Sequence, residues 1–313
     1  MTTKATDHDA ALARARLALE GLSLGDAFGE RFFITPGLAI ARIMERALPA
    51  PPWKWTDDTA MALAVFETLQ RCRGIDSDHL ASAFAEGYAR DPRRGYGATA
   101  HDILQSIAQG LPWASVSAAV FDGGGSMGNG SAMRVAPIGA YFADDLDAVV
   151  EHAARSAAPT HAHEDGRAGA IAVALAAALA WRVGTGISSM TGSDILREVT
   201  QRTPAGATRD GLLKACSLPL DTSPTAAASL LGSGSRVICS DTVPFALWCA
   251  ARHFADFEEA MWSTVSGLGD RDTTCAIVGG IVALAVSDAG LPQHFVAARE
   301  PLIWPIPLGS QRL

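Results

Sequence analysis

The sequence has few aromatic residues, few charges and no long apolar run. Aromatic residues make up 7% and charged residues 19% of the 313-residue chain. The longest apolar stretch, residues 168–181, is shorter than the ~20 residues that a membrane-spanning helix needs. We therefore predict a buried core helix there and no membrane partner. Residues 1–20 also lack the apolar segment of a secretory signal.

The sequence has no cysteine pattern and no basic run. The five cysteines are an odd number and form no CxxC pair, which predicts reduced, mostly buried thiols in a cytoplasmic protein. The formal net charge is -8, which argues against an extended nucleic-acid surface. A ligand the size of a nucleotide is compatible with this charge.

Alanine and other small apolar residues are abundant instead. The hydrophobic fraction is 49%, and alanine is the best helix former. No stretch alternates apolar and polar residues as an exposed sheet would, and no repeat or domain boundary is visible. We predict an all-α fold, a compact single domain over residues 1–313 with a central metal site, and an irregular tail over 301–313.

Apolar periodicity and capping residues predict where the helices lie. Within the first predicted helix, Gly21, Gly25 and Gly29 recur every four residues, which favours close packing of another helix. Asp26 lies in this stripe, so its charge needs a partner. It either fixes a neighbouring segment or belongs to a metal site. The main predicted helices cover residues 9–28, 38–47, 58–73, 77–90, 144–157, 164–183, 193–203, 207–215, 222–231, 241–253 and 257–266. A further helix is predicted from about Thr99, and Pro112 is predicted to open a short one.

Two acidic clusters, more than two hundred residues apart, each come directly before an apolar helix. The first acidic cluster is Thr56, Asp57, Asp58 and Thr59, and the second is Asp270, Asp272, Thr273 and Thr274. Taken singly, each cluster is explained by helix capping and by acids near a helix N-terminus. Taken together, they offer carboxylate and hydroxyl oxygens, which suit Mg²⁺, Mn²⁺ or Ca²⁺. If the fold joins them, their mutual repulsion predicts a divalent metal centre of one or two ions.

Glycine-rich loops provide a second candidate feature. Five glycines lie between Gly123 and Gly130, and backbone of this kind either forms a flexible turn or approaches an anionic ligand closely. The pattern matches neither a Walker A nor a Rossmann fingerprint. His161 and His163 lack a third nitrogen or sulfur ligand nearby, which argues against zinc. A second Gly-Ser loop precedes Asp241, which we predict to cap the helix over 241–253.

The motifs in combination resemble the ADP-ribosylglycohydrolase family. They are GDAFG, WTDDTAMALAV, GNGSAMRVAPIG, THAHEDGRAGAIAVA, GSGSRVICSDTVPFALW and GDRDTTCAIVGGIVA, in the family's order between about residues 20 and 288. The resemblance implies an all-α domain with a metal site, Mg²⁺ or Mn²⁺, at the base of an ADP-ribose cleft. It implies hydrolysis of the glycosidic bond that joins ADP-ribose to a protein side chain or a small molecule.

The resemblance also implies roles for individual residues. The implied metal ligands are Thr56, Asp57, Asp58, Asp270, Asp272 and Thr273. The four aspartates Asp57, Asp58, Asp270 and Asp272 are the implied catalytic residues, one of which would accept a proton from water. The implied substrate-binding residues are Gly128, Asn129, Gly130, Ser131, His161, Gly232, Ser233 and Gly234.

The chain departs from the family pattern at Phe33. Many members have a glutamate there, seven residues after the aspartate of GDAxG, whereas Glu30 is the acid in this segment. This departure leaves two alternatives open beside the ADP-ribosyl hydrolase. One is a hydrolase of another nucleotide or ribosyl conjugate, and the other is a non-catalytic protein that binds ADP-ribose or has a structural role.

Overall fold

The computed structural model describes residues 3–304, and side chains from residue 7 onward. This part of the chain is helical, with two isolated β-bridges and no β-strand. Short 3₁₀ turns lie at Asn129–Ser131 and Asp288–Gly290. The helices are α1 (Thr3–Glu30), α2 (Pro36–Met44), α3 (Asp57–Cys72), α4 (Ser77–Arg90), α5 (Ala98–Ala108), α6 (Trp113–Ala119), α7 (Ala136–Tyr141), α8 (Leu146–Ala157), α9 (Glu164–Gly184), α10 (Gly192–Arg202), α11 (Ala207–Ser217), α12 (Pro224–Leu231), α13 (Cys239–Arg252), α14 (Phe257–Val265), α15 (Arg271–Val286) and α16 (Gln293–Ala298).

The predicted all-α class is confirmed, and most predicted helices lie close to observed ones. Two six-residue helices, α7 and α16, are absent from the prediction, because such short segments carry little periodicity. The predicted cap at Asp241 is wrong. Helix α13 begins at Cys239 with Ile238 as its N-cap, so Asp241 lies inside the first turn, where its carboxylate accepts a hydrogen bond from the backbone N–H of Arg236.

Helix α9 is a core helix, as its small apolar residues predict. It is 21 residues long, and by length and composition alone it could cross a membrane, but 78% of its apolar window is buried in the fold. Its close neighbours include α7, since a Cβ on Gly139 would come within 2.0 Å of the Ala174 carbonyl oxygen. Small side chains therefore let these helices approach closely at the centre of the protein.

The glycine stripe of α1 packs directly against α15. A Cβ on Gly21, Gly25 or Gly29 would lie 2.0–2.4 Å from a backbone oxygen of Gly279, Cys275 or Arg271. No side chain fits in that space, so only glycine permits this helix spacing. The consequence for the site is direct: the C-terminal end of α1, with Asp26, lies beside the N-terminal end of α15, where the second acidic cluster begins.

The remaining predictions concern the chain end and the thiols. Residues 301–304 follow α16 without regular structure, and residues 305–313 of the predicted tail lie outside the described residues. All five cysteines are free thiols. Cys239, Cys249 and Cys275 are buried, whereas Cys72 is exposed.

Candidate functional site

Asp26 joins α1 to the first acidic cluster. This buried carboxylate accepts hydrogen bonds from the backbone N–H groups of Thr56 (2.9 Å) and Thr59 (3.1 Å). The hydroxyls of both threonines also lie within hydrogen-bonding distance of it. Thr56 caps α3 by accepting from the N–H of Asp58. Asp26 thus fixes a neighbouring segment, one of the two roles that its position predicts.

The second acidic cluster is held by two loops. The Asn129 side-chain amide donates to the Asp270 carboxylate (2.7 Å) and to the Thr242 hydroxyl (3.0 Å). The N–H of Asp270 donates to the carbonyl of Ser233 (2.9 Å). Asn129 belongs to the first glycine loop and Ser233 to the second, so both loops meet at the start of α15.

The two acidic clusters are close enough to affect each other's protonation. Burial, followed by the charges of Asp272, Asp26 and other aspartates, raises the pKa of Asp58 well above its ordinary value. Burial and the charge of Asp26 raise the pKa of Asp57 to about 7. Burial raises the pKa of Asp26 to about 6, although its threonine partners oppose this change. The fold therefore concentrates carboxylates in one low-dielectric region.

The donor set of this region suits a hard divalent cation. Carboxylate and threonine oxygens are such ligands, and the Asp58 Oδ1 atom is buried without a hydrogen-bond partner. Between residues 3 and 304, however, no three His, Cys, Asp or Glu side chains are arranged as a group that could hold a metal ion. The composition of the site therefore fits a cation, and the central metal site stays a prediction.

The first glycine loop lies against His161, which the family resemblance implies is a ligand-binding residue. A Cβ on Gly128 or Gly130 would come within 3.2 Å of the imidazole ring, so the bare backbone covers the histidine. Burial and the nearby Arg134 lower the pKa of His161 to about 3. The imidazole is therefore neutral at pH 7, and a hydrogen bond of 2.7 Å joins its Nδ1 to Thr160 Oγ1.

The remaining members of the first loop have structural contacts. Ser131 is buried and donates its hydroxyl hydrogen to the Gly166 carbonyl (2.7 Å), which ties the loop to the start of α9. His163 lies outside this arrangement and caps α9, accepting from the N–H of Asp165. The two histidines therefore have separate roles: His161 lies against the first glycine loop, and His163 caps α9.

The second glycine loop reaches both the first loop and the second cluster. Gly232 and Gly234 have positive φ angles of 90° and 85°, which favour glycine. A Cβ on Gly234 would lie 2.5 Å from the Cβ of Asp270. Asn129 donates its backbone N–H to the carbonyl of Val237 (3.2 Å). The predicted substrate-binding loops are therefore adjacent in space, beside the acidic clusters.

The end of α1 forms the other side of the acidic region. Glu30 is half-buried, and burial together with the charge of Asp26 raises its pKa. Phe33 is 48% exposed, and the guanidinium carbon of Arg271 lies 4.7 Å from its ring centroid. An aromatic ring and a cation thus occupy the position where the resemblance suggests a carboxylate.

Sequence reasoning missed one buried cation behind the site, Arg134. Its side chain is fully buried, donates to the Ser156 carbonyl (2.9 Å) and the Thr160 hydroxyl (2.8 Å), and lies over the Phe84 ring. The charge of Asp57 favours its protonated form, whereas burial lowers its pKa to about 9. Its place three residues after Ser131 was the available signal, but nothing in the sequence shows that the side chain turns inward.

The chain belongs to the ADP-ribosylglycohydrolase family, because the sequence profile of that family matches residues 7–305. It is similar to ADP-ribosylhydrolase ARH3 of Gallus gallus, with 36% identity over 190 residues, 54% of this chain and 50% of that protein. An uncharacterized protein of Archaeoglobus fulgidus is 29% identical over 283 residues, 85% of each chain. The chain spans about half the length of the chicken and human ARH3 proteins that it matches.

A solved structure described as an ADP-ribosylglycohydrolase-related protein complex has the same fold. It superimposes with a TM-score of 0.66 over 93% of this chain and 94% of that chain, at 24% sequence identity. At this identity the likeness concerns the fold alone. The family fold that the motifs predict is therefore confirmed.

Proposed function

We propose that this protein is a metal-dependent hydrolase of the glycosidic bond between ADP-ribose and an acceptor, either a protein side chain or a small molecule. The observation that supports this most is the meeting of both acidic clusters and both glycine loops around Asp26 and Asp270. Such an arrangement pairs a candidate cation site with backbone suited to a diphosphate. Family membership favours the same substrate class.

The proposed ligands for one or two Mg²⁺ or Mn²⁺ ions are Thr56, Asp57, Asp58, Asp270, Asp272 and Thr273. A bound divalent ion lowers the pKa of water and orients ribose hydroxyls. Cleavage develops positive charge at the anomeric carbon, which the surrounding aspartates stabilise. A carboxylate that is not fully engaged as a ligand accepts the proton of the attacking water. Asp57 and Asp272 are the candidates for this base.

The glycine loops supply binding energy away from the reacting bond. The bare backbone from Gly128 to Gly130 and from Gly232 to Gly234 allows a diphosphate to approach N–H groups closely. Asn129 links this binding region to Asp270, 2.7 Å away. Holding the remote part of the substrate orients the reacting ribose over the aspartates. The neutral His161 supports the first loop without adding charge.

The test measures free ADP-ribose released from arginine-linked and serine-linked peptides, with Mg²⁺ or Mn²⁺ present. Asp57→Asn and Asp272→Asn should each reduce turnover by at least about 100-fold, since each removes a ligand or base. Elemental analysis should show lost metal, and circular dichroism should show an unchanged helical content. Asp144→Asn, at an exposed carboxylate, serves as the matched control.

Three results would contradict the proposal. Full metal content and full turnover in both variants would remove the aspartates from the site. Binding of ADP-ribose and metal without turnover of any conjugate would instead favour a non-catalytic binding protein. Turnover restricted to other ribosyl conjugates would favour the second class of hydrolase.

A further inference from the structure

Thr242 is a fully buried residue near the start of α13, between the two glycine loops. Its hydroxyl oxygen lies 2.9 Å from the carbonyl oxygen of Ile238 and 3.0 Å from the side-chain nitrogen of Asn129 in the first loop. A Cβ on Gly234 in the second loop would lie 3.3 Å from the same oxygen. One buried hydroxyl therefore meets both loops and the helix behind them.

The contact with Ile238 fixes the direction of the hydrogen bond between Thr242 and Asn129. A carbonyl oxygen can only accept, so the single hydroxyl hydrogen of Thr242 is donated to Ile238. The hydroxyl oxygen is then free only to accept, and Asn129 must present its NH₂ group to it rather than its carbonyl oxygen. The hydroxyl of Thr242 thus determines which way the Asn129 amide faces.

The same NH₂ group contacts the second acidic cluster. It has two hydrogens, one directed to Thr242 and the other to the Oδ2 atom of Asp270, 2.7 Å away. A reversed amide would place its oxygen against the Thr242 hydroxyl oxygen and the Asp270 carboxylate, neither of which has a hydrogen to donate to it. The hydrogen bond between Asn129 and Asp270 therefore depends on Thr242, although Thr242 does not touch Asp270 through its hydroxyl.

The backbone of Asp270 is held as well, so its side chain has one remaining degree of freedom to fix. Its N–H donates to the Ser233 carbonyl (2.9 Å), and its carbonyl accepts from the N–H (2.9 Å) and the hydroxyl (2.7 Å) of Thr274. The Asn129 amide then engages Oδ2 and sets the rotation of the carboxylate. This leaves Oδ1 as the oxygen that Asp270 contributes to the proposed cation.

We propose that Thr242 is a positioning residue for the metal ligand Asp270, and that it acts through the Asn129 amide rather than on the substrate. This inference rests on the proposed function, which makes Asp270 a ligand. The physical reason is that groups behind a ligand fix its orientation, and their loss typically lowers metal affinity by about 10–100-fold. A buried hydroxyl on α13 thus tunes a metal ligand at the start of α15.

The experiment measures the dissociation constant of Mn²⁺ by isothermal titration calorimetry of the whole chain without substrate. Thr242→Val keeps nearly the same shape but removes the acceptor for the amide, and it should weaken Mn²⁺ binding by at least about tenfold. Thr242→Ser keeps the hydroxyl and should bind Mn²⁺ within about threefold of wild type. Thr68→Val is the matched control and should leave the constant unchanged. Thr68 is equally buried and donates to the carbonyl four residues earlier, as Thr242 does.

A double-mutant cycle with Asn129→Ala tests whether Thr242 acts through the amide. In the Asn129→Ala background, Thr242→Val should cause no further loss of Mn²⁺ affinity, because the group that it orients is gone. Equal further loss in both backgrounds would overturn the proposal, and so would a wild-type constant in Thr242→Val. Equal losses of affinity in Thr242→Val and Thr242→Ser would also overturn it. If Thr242→Val does not fold, Thr242→Ala takes its place in each comparison.

Release of ADP-ribose from the arginine-linked and serine-linked peptides, measured beside the titrations, distinguishes this inference from the proposed function. Turnover by wild type, with Mn²⁺ affinity unaffected by Thr242→Val, keeps the hydrolase and overturns the positioning role. Mn²⁺ binding that depends on Thr242, without turnover of either peptide, supports the positioning role and contradicts the hydrolase. Absence of Mn²⁺ binding in wild type overturns both.

Discussion

The two acidic clusters begin helices of equal length, 16 residues each, yet the protein holds them differently. The first cluster is tied to the buried Asp26 through Thr56 and Thr59, and Thr56 caps its helix. The second cluster begins α15 without a side-chain cap. Its Asp270 instead contacts two glycine loops.

This difference indicates that the two clusters have different roles. The first cluster is part of the helical core, so its geometry is set when α1 and α3 pack. The second cluster depends on loops that are proposed to contact the ligand. We therefore expect substitutions near the first cluster to affect stability most, and those near the second to affect ligand binding most.

The largest expected effect tests the first cluster. Asp26→Ala leaves the buried N–H groups of Thr56 and Thr59 without acceptors, at about 1–3 kcal/mol each. The free energy of unfolding, measured by urea denaturation, should fall by about 2–5 kcal/mol. The measurement is made at pH 5, where the raised pKa values of neighbouring carboxyls leave little repulsion to relieve.

Asp272→Ala is the matched change at the second cluster. The Asp272 carboxylate accepts from the adjacent Thr273 N–H and fixes no other helix. The unfolding free energy of the Asp272→Ala variant should stay within about 1 kcal/mol of that of wild type. Equal losses of unfolding free energy in the Asp26→Ala and Asp272→Ala variants would contradict the proposed difference in role between the clusters.

The second prediction concerns pH and metal. The folded state raises the pKa of Asp57 to about 7 from 3.8, so it retains a proton that the unfolded chain releases. Metal-free wild type therefore loses stability as pH rises from about 4 to 7. The Asp57→Asn variant has no such proton. The excess of its free energy of unfolding over that of wild type should therefore grow from near zero at pH 4 to about 2–4 kcal/mol at pH 8.

Thermal unfolding of both proteins in a chelator, across this pH range, checks the sign. Adding Mg²⁺ or Mn²⁺ at pH 8 should stabilise wild type and leave Asp57→Asn almost unchanged, since binding to the native state alone raises stability. A stability difference between wild type and Asp57→Asn that does not vary with pH would show that Asp57 is not buried among other carboxylates.

The last prediction concerns the loop contact of the second cluster, where the expected effect on stability is also small. Asn129→Ala removes the amide that contacts Asp270 and Thr242, at a cost of about 1 kcal/mol. Calorimetry should nevertheless show clearly weaker ADP-ribose binding, because the loop loses its connection to the cluster. A fall of several kcal/mol in the free energy of unfolding, with unchanged affinity for ADP-ribose, would show that Asn129 stabilises the core and does not support ligand binding.

Much of the fold followed from local pattern. Alanine-rich periodicity identified the long helices, and the Gly21, Gly25 and Gly29 stripe identified the face of α1 that meets α15. Asp76, directly before α4, is a residue type favoured at N-caps, and it accepts from the His79 N–H. These features depend on neighbours within one or two helical turns, so sequence spacing describes them well.

The site was less visible because its contacts are remote in sequence. Asp26 precedes Thr56 by thirty positions and Asn129 precedes Asp270 by 141, and no periodicity encodes such pairs. The inward turn of Arg134 and the stacking of Arg271 on Phe33 also depend on side-chain packing. The motifs indicated which residues matter, but not which of them touch.

By itself, then, the sequence determined the helical class, the family resemblance and the two acidic clusters, since each depends on residue type and short-range order. Only the tertiary structure decided that the clusters meet around Asp26, that the glycine loops converge on Asp270, and that Phe33 faces solvent beside a cation. The reason is physical: electrostatic coupling and hydrogen bonding depend on distances of a few ångströms, and packing of distant helices sets those distances.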